Sequence, residues 1–179
     1  MDCAQVEAAL GSMNAVKAYF RGCVSVSDFE PFCRATFDPS SSRNIYVVLI
    51  GNKREFIGHF VLFYWISHGT GYRCLIADSF GFQVSSVGQK RLDRILDFTK
   101  TTSVQVTKTP VQDSGSCMCG AWVIAFVIWL SNGYSLKQIE HFLEGRDPKI
   151  NDIALYRFLK DNFGFFNRNQ LIDCKLLDY

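Results

Sequence analysis

The chain has 179 residues, about one domain by size. Its 19 Lys and Arg against 17 Asp and Glu leave a net charge of +2, too little to predict nucleic-acid or anionic-membrane binding from charge alone. A hydrophobic share of 48% with 20% charged residues excludes general disorder, and seven cysteines, an odd number, exclude a fully paired disulfide scaffold.

Taken in chain order, residues 3–20 read as a helix. Val6, Ala9, Leu10, Met13, Val16 and Phe20 recur at three- and four-residue steps, and Asp2 is placed to cap them. Residues 21–43 read as irregular, punctuated by Gly22, Pro31 and the run Asp38-Pro39-Ser40-Ser41-Ser42. Residues 45–50 form an apolar, β-branched strand signal. Residues 58–66 are apolar on both alternating faces, as in a strand buried on two sides. A five-residue turn, Ser67-His68-Gly69-Thr70-Gly71, leads to a third strand at 72–77, so the pair reads as an antiparallel hairpin.

Residues 89–98 are amphipathic and helical, and 103–107 alternate like a half-exposed strand. A small polar loop at 110–118 precedes residues 119–130. These are apolar all round, which predicts a helix buried at the domain centre and too short to span a membrane. Further helices are expected at 136–144 and 151–163. Clustered strands followed by helices give an α+β domain with a mixed central sheet, one unit over 1–179. The acidic N-terminus lacks a signal-peptide pattern. The chain is expected to be soluble, without membrane contact and monomeric. Its cysteine count fits a reducing compartment with free thiols.

The chemistry concentrates where the polar loop Gln112-Asp113-Ser114-Gly115-Ser116-Cys117-Met118 meets Cys119-Gly120. A thiol at a helix N-terminus faces unpaired N–H groups and the positive end of the dipole. Both favour the thiolate, and both favour an oxyanion formed by attack on a carbonyl. Gly120 leaves room for a substrate backbone. An inert core thiol is the plain alternative for Cys119. Cys117-x-Cys119 has neither zinc-ligand spacing nor a second pair, so no metal is expected.

A thiol nucleophile needs a base. His68 lies in a Gly-rich turn and His141 on a surface-like helix, whereas His59 opens the most apolar strand. In an antiparallel hairpin the end of the second strand lies beside the start of the first. Asp78 would then neighbour His59 and fix its tautomer. Each residue also has a structural explanation, as a strand-end histidine and a turn-forming aspartate.

The order His59, Asp78, Gln112, Cys119 resembles the adenain family of adenovirus cysteine endopeptidases, and more distantly the SUMO-deconjugating proteases. Similar stretches include Tyr19-Phe20-Arg21-Gly22, Asp28-Phe29-Glu30-Pro31-Phe32, Gly58-His59-Phe60, Asp78-Ser79-Phe80-Gly81-Phe82 and Leu155-Tyr156-Arg157-Phe158-Leu159. The match spans about residues 19–170. The resemblance implies a papain-like fold with Cys119 as nucleophile, His59 as general base and Asp78 orienting it. It also implies that the Gln112 side chain and the Cys119 N–H form the oxyanion hole. It implies cleavage after Gly in viral precursor or capsid proteins during virion maturation, in the virion and host nucleus.

The departures are specific. Phe60 replaces the family's Trp, and Asp78 replaces adenain's Glu. Thr101 stands where a cysteine binds the disulfide-linked activating peptide, so that mode of activation is not expected. No cofactor is required by the sequence. DNA or a peptide activator is left open by the resemblance, because basic pairs such as Lys53-Arg54 and Lys90-Arg91 are scattered among acids. Three other functions compete: a deconjugating protease for ubiquitin-like proteins, an effector-type acetyltransferase on the same fold, and a catalytically inactive capsid or DNA-binding module. Cys3, Cys23, Cys33, Cys74 and Cys174 carry no assigned chemistry.

Overall fold

The computed structural model describes residues 1–51 and 58–163. Lys53, Arg54, Cys174 and the end of the resemblance at 164–170 lie outside them. A five-stranded mixed sheet runs in the order β1 (Phe20–Ser25), β2 (Arg43–Ile50), β3 (His59–His68), β4 (Gly71–Ala77), β5 (Thr101–Val106). The three inner strands are antiparallel, and each edge strand pairs in parallel with its neighbour.

β3 sits in the middle and is buried on both faces, as its unbroken apolar run requires. Phe60, Leu62 and Tyr64 join one core cluster, while Val61, Phe63 and Trp65 join the other. The first face is covered by α1 (Cys3–Ser12), α4 (Cys119–Ser131), α5 (Leu136–Leu143) and α6 (Pro148–Phe163). The second is covered by α2 (Phe29–Thr36) and α3 (Gln89–Phe98). Helix α4 is the most enclosed element, with Cys119 to Val127 and Leu130 buried.

The structure corrects three local expectations. The expected helix at 3–20 stops at Ser12, capped at its start by Asp2 in a reciprocal pair with Gln5. Phe20 instead begins edge strand β1, where it pairs in parallel with Ile45 of β2. The segment expected to be irregular at 21–43 contains most of β1 and all of α2. Pro31 does not break α2 because it occupies the first turn, where its missing N–H has no intrahelical partner to lose. The hairpin turn has two residues rather than five. Gly69 takes φ +61, the left-handed conformation such tight turns need.

The cysteines separate by environment. Cys33 and Cys74 are buried in the second cluster. Burial pushes the Cys33 thiol up to about 12 and also raises Cys74, so both stay protonated at neutral pH. Cys23 on β1 lies 2.9 Å, sulfur to sulfur, from Cys3 on α1, and burial and this neighbour raise its pKa. Cys117 is disulfide-bonded, so the expectation that every thiol stays free does not hold for it. No helix among the described residues is long and apolar enough to cross a membrane.

The second core cluster is aromatic. The Phe63 ring lies 4.7 Å from Phe29 and stacks on Trp65 at 5.8 Å. Phe63→Ala should cost about 3–5 kcal/mol in urea unfolding, the usual range for emptying a buried aromatic site. Because this face points away from Cys119, the alkylation rate of Cys119 in the folded variant should match the wild type.

Candidate active site

The site assembles where three chain segments converge: the start of β3, the end of β4, and the loop entering α4. His59 opens β3 and Asp78 follows the last residue of β4. The antiparallel register brings those two ends together. His59 Nε2 and Asp78 Oδ1 are 2.6 Å apart. The carboxylate can only accept, so Nε2 carries a proton and donates it. That leaves Nδ1 to gain or lose the second proton. Nδ1 is buried and has no hydrogen-bond partner, the single side-chain nitrogen or oxygen in that condition among the described residues.

Asp78 is 4% exposed and tightly fixed. Its backbone N–H donates to Thr107 Oγ1 (2.8 Å), and the Thr107 hydroxyl donates to its carbonyl (2.9 Å). The Phe80 N–H donates to Asp78 Oδ1 at 2.8 Å. Gly81 closes this turn at φ +80, where a Cβ would meet the Lys108 carbonyl oxygen at 2.8 Å. The motif Asp78-Ser79-Phe80-Gly81 therefore holds one carboxylate at the end of inner strand β4. Phe80 also packs against the imidazole, with ring centroids 4.7 Å apart. Phe60, the next residue of β3, is buried in the first core cluster.

Cys119 is the first residue of α4 and is 8% exposed. Its Sγ lies 3.9 Å from the Gly58 carbonyl oxygen, at the mouth of β3. No side chain caps α4, so first-turn N–H groups remain open at the thiol. A Cβ at Gly58 would meet Leu49 Cδ1 of β2 at 2.3 Å. Gly120 has a different role from the one expected. The space its Cβ would take is filled by Met1, 2.9 Å away, and Val6 of α1, so the glycine serves helix packing rather than substrate approach.

The thiol and the imidazole shift each other. Burial alone would raise the Cys119 pKa. The His59 interaction, the Phe60 N–H and nearby positive charge overcome it, and the net shift is downward. Burial pulls His59 down, but the Asp78 hydrogen bond and charge, together with the neighbouring Cys119 thiolate, lift it to about 9. These opposed shifts favour a thiolate–imidazolium pair.

Gln112 is 3% exposed and held from both ends. Its Oε1 accepts from the Ser79 hydroxyl at 2.6 Å, and its Nε2 donates to the Ser116 carbonyl and hydroxyl, each at 3.0 Å. The loop is tied to α6 by a buried carboxylate. Asp152 accepts from Trp122 Nε1–H of α4 at 2.6 Å and from the Asp113 N–H at 3.2 Å. Burial raises its pKa. Asn151 Nδ2 donates to the Val111 carbonyl at 3.2 Å.

All four residues expected at the site thus lie at the convergence of β3, β4 and α4. His68 and His141 do not: the first is exposed at the far end of β3, and the second is 86% exposed in its side chain. Ser79, Phe80 and Asp152 were missed. The first two lie within a motif in which the sequence assigns a role to Asp78 alone. For Asp152, the one signal is a helical acid with a buried Trp122 elsewhere in need of an acceptor.

No family model matches this chain, and no curated protein matches it in sequence. Solved structures do share its fold. The ASFV pS273R protease superposes with a TM-score of 0.61 at 16% identity, covering 88% of this chain and 64% of that one. The chain therefore spans less than two thirds of that protease's length. The central domain of the uncharacterized Lpg1148 protein from Legionella pneumophila gives a TM-score of 0.55 at 16% identity, covering 90% and 97%. The architecture shared with these structures is a five-stranded mixed sheet packed by helices.

The electrostatics predict a pH window. Cys119 deprotonates below its ordinary value, and the imidazolium survives up to about 9. Iodoacetamide at pH 7 should modify Cys119 well ahead of Cys33 and Cys74, as read by peptide mass mapping. The Cys119 alkylation midpoint should lie below that of an ordinary free thiol. Asp78→Asn removes the charge that supports the imidazolium, so this midpoint should rise. A Cys119 midpoint at or above the free-thiol value would contradict the ion pair.

Proposed function

We propose that this chain is a cysteine endopeptidase of the adenain kind that cuts precursor proteins after Gly. The observation that carries the reading is the His59–Asp78 bond of 2.6 Å, which leaves a buried, unpartnered Nδ1 beside an uncapped helix that starts at Cys119. The fold likeness to a viral protease supports the same class.

In this reading the Cys119 thiolate attacks the substrate carbonyl and forms the carbon–sulfur bond. The carbonyl electrons move to oxygen. The N–H of Cys119 and the Gln112 amide stabilise that oxyanion. In the resting site Gln112 Nε2 donates to Ser116. A charged oxygen draws one of those N–H groups away because charge-assisted bonds are roughly twice as strong as neutral ones. His59 Nδ1 gives its proton to the leaving amine as the carbon–nitrogen bond breaks. It then takes a proton from water, whose oxygen attacks the thioester and releases Cys119. Asp78 keeps Nε2–H engaged throughout, so Nδ1 is the nitrogen that cycles.

The substrate and setting follow from the resemblance: viral precursor or capsid proteins, with action in the virion and host nucleus. Activation by DNA remains part of the proposal. Activation through a disulfide-linked peptide does not, because Thr101 offers no thiol.

Peptides carrying Gly sites, assayed with and without DNA, test the reading. Cys119→Ala should lose about 10³-fold or more in kcat/KM, and Cys117→Ala should keep the cleavage specificity. Full activity in Cys119→Ala would sink the assignment. Labelling of Cys119 by a ubiquitin-like probe ending in Gly-Gly, without cleavage of linear sites, would move the chain to the deconjugating proteases.

A further inference from the structure

Ser79 follows the acid of the site and is 1% exposed. Its carbonyl accepts from the Val111 N–H at 2.8 Å and the Gln112 N–H at 3.1 Å. Its hydroxyl donates to Gln112 Oε1 at 2.6 Å. One residue therefore grips Gln112 by both backbone and side chain. The two ends of a carboxamide are nearly equal in size, so packing alone does not decide which faces the nucleophile helix. Hydrogen bonding does. The Ser116 carbonyl can only accept, and it faces Nε2 at 3.0 Å. A flipped amide would set two oxygens against each other there and remove the acceptor of the Ser79 hydroxyl.

We propose that Ser79 is a positioning residue for catalysis, whose buried hydroxyl holds the oxygen end of Gln112 so that the amide nitrogen stays aimed along the loop entering α4. The inference rests on the protease reading for its catalytic consequence, but not for the contact itself. When the nitrogen exchanges Ser116 for an oxyanion, the Ser79 bond is the contact that keeps the amide from turning. Nothing is transferred to or from Ser79. The backbone grip survives truncation of the side chain, so Ser79→Ala isolates the hydroxyl.

Two measurements test it. In a ¹⁵N–¹H spectrum, the side-chain amide pair lost in Gln112→Ala belongs to Gln112. Ser79→Ala should move that pair toward the positions of exposed glutamines. In peptide hydrolysis, Ser79→Ala should lower kcat roughly 3- to 10-fold, the worth of one net hydrogen bond, with KM changed less than about twofold. The Cys119 alkylation rate should stay unchanged, because alkylation forms no oxyanion. The double variant Ser79→Ala/Gln112→Ala should be no slower than Gln112→Ala alone. Gln112 amide signals unmoved in Ser79→Ala overturn the proposal, as does a kcat loss that adds in full to that of Gln112→Ala. A wild-type protein that cuts no peptide fails the protease reading, and the amide spectrum then decides the Ser79 contact by itself.

Discussion

Helix α4 has no polar face, so it must be enclosed on every side. That constraint organises the molecule. The sheet covers it through β3, while α1 and α6 close it from elsewhere. Apolar burial of about 25 cal/mol per Å² favours this enclosure, and α4 buries most of its length. A helix fixed so completely has a fixed N-terminus. The open N–H groups and Cys119 therefore emerge at one place, beside the start of the strand against which the helix packs.

The electrostatics follow from that burial. A thiol with little water around it resists ionisation, as Cys33 and Cys74 show. Cys119 is also buried, yet its shift has the opposite sign. The difference lies in its neighbours. His59 is held protonated by a carboxylate that is itself pinned by Thr107 and the Phe80 N–H. One charge is thus stabilised through a chain of three fixed groups rather than by solvent. On the far side of the loop burial wins instead: it raises the Asp152 pKa, while the same side chain ties α6 to α4 by accepting from Trp122.

Much of this was legible in the sequence where a pattern had a period. The two-sided burial of β3, the all-apolar α4 and the hairpin that joins His59 to Asp78 follow from alternation and chain reversal. The first 43 residues were less legible. Phe20 fits a helical spacing and also a strand, and only pairing with β2 decides between them. Pro31 reads as a stop, but its effect depends on which turn it occupies. Gly120 shows the same limit. Its lack of a Cβ was visible, but which neighbour needed the space was set by α1, more than a hundred residues away in the chain. The Ser79–Gln112 and Trp122–Asp152 bonds span 33 and 30 residues and leave no local trace.

The dipeptide Asp78-Ser79 anchors the imidazole through one side chain and the Gln112 amide through the next. Two functions that could have been built on separate supports share a single peptide unit. The site therefore has fewer independent parts than it has functional groups. A shift of the backbone at the end of β4 disturbs acid and amide together, whereas a side-chain change at Ser79 reaches the amide alone.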